Sequence, residues 1–134
     1  MKVVSASDGQ LTVELPYNPE ILGKDPAGYV HGGILTTMMD TVCGFAVTAA
    51  LPTPEFCPTL DLRMDHMRRA SIKGSIFAWT ECYKITRNVC FTRGYAYQDD
   101  PENPIVHCVA TFVRSGKTWG KSGFVKGGSS DALL

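Results

Sequence analysis

The stretch Tyr29-Val-His-Gly-Gly-Ile-Leu-Thr-Thr-Met-Met-Asp40, continued by Thr41-Val-Cys-Gly-Phe-Ala-Val-Thr-Ala-Ala-Leu51, decides how this chain is read. Ile34, Leu35, Met38, Val42, Phe45, Ala46 and Ala49 recur at helical spacing, which predicts one long helix over 32–51. Pro52 and Pro54 end it. Asp40 falls almost opposite that apolar stripe, and it is the only charged residue between Gly32 and Pro54. A helix face turned to water normally carries several charges. A single carboxylate among Gly33, Thr36, Thr37, Cys43, Gly44 and Val47 therefore suggests that the second face is covered too. Burial makes a carboxylate a stronger base, so Asp40 is a catalytic candidate. Just before it, Gly32 and Gly33 stand at the helix entrance. The first amides of a helix lack internal acceptors and lie at the positive end of its dipole, so they can receive a developing oxyanion. His31 by itself reads as a hydrogen-bonding loop residue.

Working outward, residues 10–17 suggest a first strand. Residues 18–30 hold Asn18, Pro19, Gly23, Pro26 and Gly28, which predicts a loop with a short helical turn near Pro19–Leu22. After the helix, residues 58–69, 72–86, 88–98 and 104–114 read as strands with short connections, one of them at Asp99–Asn103. One strand, one helix and four strands give no alternating strand–helix rhythm. The expected fold is α+β, an antiparallel sheet packed on one central helix, in a single domain covering 1–134. Its core would run from about residue 10 to 115, with 116–134 an irregular tail.

Composition narrows the function classes. The 134 residues carry 13 basic and 13 acidic side chains. Zero formal charge argues against a nucleic-acid binder that relies on a basic field, and it favours self-association. The five cysteines are odd in number and have no C-x-x-C spacing, so they read as reduced thiols in a cytoplasmic protein. No metal-ligand spacing appears among the three histidines. No signal-peptide core is evident in the first ten residues, and the apolar run Val42–Leu51 is too short to span a bilayer.

The stretch Tyr29–Asp40 resembles the HGG-x6-D signature of the PaaI-like group of hotdog-fold thioesterases. The flanking DPAG, TVCGFAVTAALP, PTLDLRMDHMRRA, KITRNVCFTRGYAYQDD and VHCVATFVR continue the pattern, so the resemblance spans roughly residues 10–115. It implies a curved antiparallel sheet wrapped around one long helix. It also implies a homodimer, or a dimer of dimers, with active sites at the subunit interface. The implied activity is hydrolysis of acyl-CoA thioesters, with coenzyme A as part of the substrate and no separate cofactor. Position by position, Asp40 matches the catalytic carboxylate and Gly32 the glycine whose amide polarises the thioester carbonyl. His31 matches the motif histidine that shapes the loop. Thr59 matches a Ser/Thr that orients the attacking water. Asp25, with Asn18 further back, stands where many relatives have Asn or Gln. Exposed cations should receive the phosphates of coenzyme A, which makes Arg68, Arg69, Arg87 and Arg114 candidates. Met39, Cys43 and Val47 are candidates for the acyl pocket, Tyr29 is a candidate to flank the acyl chain, and Gly33 is a further candidate for substrate binding. A non-catalytic acyl-CoA binder or sensor on the same fold is the alternative. No partner of nucleic acid or membrane is implied.

Overall fold

The computed structural model describes residues 1–22 and 25–120, together with 123 and 124. The elements run β1 (Lys2–Ser7), β2 (Gln10–Leu15), α1 (Pro19–Leu22), α2 (Gly32–Ala50), β3 (Thr59–His66), β4 (Ile76–Ile85), β5 (Val89–Tyr97) and β6 (Val106–Val113). Two-residue strands β7 (Trp119–Gly120) and β8 (Gly123–Phe124) follow. Six strands form one antiparallel sheet in the order β1-β2-β4-β5-β6-β3. Helix α2 touches β2, β3, β4, β5 and β6, so the sheet wraps it. This is the α+β antiparallel sheet on one central helix expected from the element pattern, and the hotdog arrangement that the resemblance implies.

Strand alternation explains the inner face. Leu11, Val13, Leu15, Ile76, Ala78, Cys90, Ala96, Val106, Cys108, Ala110 and Phe112 are buried against α2, while neighbours such as His107 and Val109 point outward. Two buried hydroxyls on that face are satisfied. Thr80 donates to the Val42 carbonyl at 3.3 Å and Thr92 to the Ala110 carbonyl at 2.9 Å. Gly94 is required where β4 and β5 close up, because a Cβ there would stand 2.5 Å from the Trp79 carbonyl oxygen.

Three expectations change. Residues 2–7 form an added edge strand, joined to β2 through Asp8 and Gly9, whose φ values of 49° and 77° are those of a tight hairpin turn. The tail is not wholly irregular. Thr118 bridges Glu55, and β7 pairs with β8; residues 121, 122 and 125–134 lie outside the described set. The buried stripe of α2 is rotated from the expected one: Leu35, Met38, Met39, Val42, Cys43, Ala46 and Val47 are buried, while Phe45 is 49% exposed. The whole of α2 is long and apolar enough to cross a membrane by length and composition, but here one side of it is the core that the sheet covers.

Candidate active site

His31 takes an extended conformation and caps α2, its Nδ1 accepting from the Gly33 amide at 3.0 Å. The ring therefore caps the helix start, and its Nδ1 is occupied. The His31 carbonyl accepts from the Ile34 amide at 3.0 Å. Gly32 is the first helical residue, so its N–H has no acceptor within the helix. It opens onto a cleft of about 330 Å³ lined also by His66, Arg68 and Arg69. A Cβ on Gly32 would stand 3.5 Å from Cε1 of His66. His66 at the end of β3 is thus a neighbour of the amide, a proximity that its alternation in the strand did not signal.

Asp40 lies on the outer side of α2, partly exposed. The Thr59 hydroxyl, at the start of β3, donates to its Oδ1 at 2.7 Å. Asp40 and Thr59 thus meet although nineteen positions separate them. The other carboxylate oxygen has no partner among the described residues. The pair borders a cleft of about 210 Å³ that includes Phe45, Glu55, Phe56 and Cys57. Around it the face has few free donors. Thr36, Thr37, Thr41 and Thr48 each donate to the carbonyl four residues back, at 2.7–3.2 Å. Asp40 remains the only charge on this surface of the helix.

The segment carrying Thr59 is clamped. Arg114 Nη2 and Nε donate to Glu55, and Arg114 Nη1 donates to the Thr86 carbonyl at 3.1 Å. The Ser115 hydroxyl donates to the Phe56 carbonyl, and Val113 N–H to the Pro58 carbonyl. The Arg114 guanidinium holds the Glu55 carboxyl below its ordinary value against the opposing effect of burial.

Within one chain the Gly32 entrance and the Asp40–Thr59 pair stand apart. Gly32 and Asp40 are eight residues apart on a helix, about 12 Å along its axis at 1.5 Å per residue. Arg68 and Arg69 sit at the Gly32 cleft. Arg68 Nε donates to the Asn103 carbonyl at 3.0 Å, and Arg69 lies over the Tyr29 ring with 4.9 Å to its centroid. Tyr29 is 37% exposed and bridges Ser71. Arg87 is exposed on the β4–β5 turn, away from that cleft. Arg114 is held by Glu55, which corrects its reading as a phosphate ligand. Cys43 does not line an open wall: it is fully buried with Met39 and Val47, its sulfur 3.6 Å from that of Cys108. The contact with Cys108 lowers the Cys43 thiol and raises that of Cys108. Cys57 lines the same cleft as Asp40, and burial pushes its thiol up to about 11, which disfavours the reactive thiolate. Asp25 and Asn18 are engaged locally, accepting from Ala27 N–H at 3.0 Å and Glu20 N–H at 2.9 Å.

Comparison with known proteins bears on the family and the fold. A 92-residue segment is 38% identical to a Halobacterium salinarum protein described as a "putative esterase"; it spans 66% of this chain and 60% of that relative. A Pseudomonas aeruginosa crystal structure is 49% identical, with TM-score 0.75 over 84% of this chain and 83% of the other. A phenylacetic acid degradation-related protein from Ralstonia eutropha is 27% identical, with TM-score 0.72 over 83% and 82%. A Streptococcus pneumoniae protein described as a "hypothetical thioesterase protein", crystallised with coenzyme A, shares the fold, with 19% identity and TM-score 0.71 over 84% of each chain. The family model of the Thioesterase superfamily matches residues 27–105, more than half of the sequence and all of the Gly32–Asp40 helix start, so this chain belongs to the thioesterase superfamily and has its hotdog fold.

Proposed function

We propose that the protein hydrolyses acyl-CoA thioesters at sites shared by two copies of the chain. The thioester carbonyl oxygen accepts from the Gly32 N–H of one copy, at the positive end of α2. Asp40 and Thr59 of the other copy act on water. Thr59 orients the carboxylate through Oδ1, and its own oxygen accepts a hydrogen from the attacking water. The free Asp40 oxygen takes the second proton as the water oxygen bonds to the acyl carbon. The tetrahedral intermediate collapses, the carbon–sulfur bond breaks, and the thiolate of coenzyme A leaves with its charge. A positioned base contributes about 10²–10⁴ in rate and one oxyanion donor about 10²–10³. Arg68 and Arg69 receive the phosphates at the Gly32 cleft, and Arg87 of the copy supplying Asp40 is a further candidate.

The observation that carries this reading is the 2.7 Å Thr59–Asp40 hydrogen bond on a helix face with no other charge. The length of α2 supports sharing, since about 12 Å separates the two halves within one chain. The coenzyme A complex of the Streptococcus pneumoniae protein supports the leaving group. The test is thiol release from a panel of acyl-CoAs by the wild type and by Asp40→Asn. The expected result is turnover lowered by more than a hundredfold in the variant. Tight binding of acyl-CoA with no hydrolysis by the wild type would favour a sensor instead.

A further inference from the structure

The His31–Gly33 corner divides two unlike clefts. Gly32 and Leu35 line the one that holds Arg68 and Arg69. Gly33, Ile34, Thr37 and Met38 line the other, which has a volume of about 550 Å³. At 100° per residue the two sets point roughly 160° apart around the helix. An acyl-CoA has the same division: an anionic half and an acyl half meeting at the carbonyl.

Resting on the hydrolase reading above, we infer that the larger cleft is the acyl site and that it selects unsubstituted hydrocarbon acyl groups of medium length. Met1, Leu15 at the end of β2 and Ile21 on α1 complete its apolar wall. Each of its two polar side chains spends one hydrogen-bonding atom on the backbone of Gly33, which leaves His31 Nε2 at the helix entrance. Thr37 donates to the Gly33 carbonyl at 2.9 Å, and His31 Nδ1 accepts from the Gly33 amide at 3.0 Å. Beyond reach of the His31 ring, a hydroxyl or carboxylate on the acyl chain would lose its water against Leu15, Ile21, Ile34 and Met38 and find little in return. The volume falls in the range that encloses a ligand of drug size, well beyond an acetyl group. Each methylene moved from water into such a wall is worth about fourfold in binding.

The test separates binding from turnover. Calorimetry compares S-octyl-CoA, a thioether that cannot be hydrolysed, with coenzyme A itself. The wild type should bind the octyl compound at least thirtyfold more tightly. Ile21 is 54% exposed, so Ile21→Asp can alter the cleft mouth without a core change, and it should remove most of that advantage. In turnover, octanoyl-CoA should exceed 3-hydroxyoctanoyl-CoA at least tenfold in kcat/KM. Equal binding of S-octyl-CoA and coenzyme A overturns the inference, as does equal turnover of the two thioesters. Preferential, Ile21-dependent octyl binding without hydrolysis of any thioester upholds the cleft and ends the hydrolase reading.

Discussion

Replacing Arg114 by Leu should destabilise the fold and loosen the strand that delivers Thr59. Glu55 is only 8% exposed, and two of its hydrogen bonds come from this guanidinium. The variant leaves that carboxylate with the Gly116 amide, at 3.3 Å, and frees the Thr86 carbonyl. Breaking a fully buried ion pair costs about 3–5 kcal/mol. The Arg114 side chain is 26% exposed, so water relieves part of this, and about 2–3 kcal/mol is expected. For a chain of this length that lowers Tm by about 8–10 °C. Thermal unfolding at fixed protein concentration measures it, with Glu55→Leu and the double variant completing a cycle. The double variant should recover part of the loss, since no charge is left unpaired. The pH dependence gives an independent check. Arg114 depresses the Glu55 carboxyl below its ordinary value of 4.5. A depressed acid stabilises the fold above its ordinary value and loses that contribution as pH falls through its folded value. The gap between wild type and Arg114→Leu should therefore narrow as pH falls below that ordinary value. A single variant within about 0.5 kcal/mol of wild type, or a gap that widens in acid, would refute the clamp.

Thr59→Val should lower kcat about 10- to 100-fold with stability little changed, while Thr59→Ser keeps most activity; steady-state thiol release checks both. Gly94→Ala should fail to fold or lose more than about 3 kcal/mol in urea denaturation, because its methyl meets backbone at 2.5 Å. Burial holds the Cys57 and Cys90 thiols at about 11, so at pH 8 roughly one in a thousand is thiolate. Both should resist a disulfide reagent in the native state and react on unfolding, and fast native labelling would contradict this burial.

Much of this fold is written in local pattern. The 3.6-residue recurrence along α2 and the two-residue alternation of Val106, Cys108, Ala110 and Phe112 are direct consequences of packing one helix on one sheet. The first strand was harder, since all six of its residues are exposed and no apolar face marks it. The signal available was Asp8-Gly9, a pair suited to a two-residue hairpin. The exact face of α2 was also out of reach. Phe45, Met39 and Cys43 are all apolar, and only the curvature of the sheet decides which of them faces it. At the site, Asp40 stood out as a lone charge, but its direct hydrogen bond to Thr59 joins residues nineteen positions apart and has no local signal. The Arg114–Glu55 pair was not legible, because it joins residues 59 positions apart through a loop of no regular pattern.

The central claim is that one reaction uses Gly32 from one copy and Asp40 from another. Gly32→Pro tests it with little collateral change. Proline is favoured at the first helical position and removes only the N–H in question. His31, at φ −64° and ψ 134°, already has the extended conformation that a following proline demands. The measurement is acyl-CoA hydrolysis by Gly32→Pro, by Asp40→Asn, and by the two unfolded together and refolded as an equal mixture. Each variant alone should be nearly inactive. Random pairing makes half the dimers mixed, and each mixed dimer has one intact site, so about a quarter of wild-type activity should return. A mixture no more active than its parents would contradict a site shared between copies.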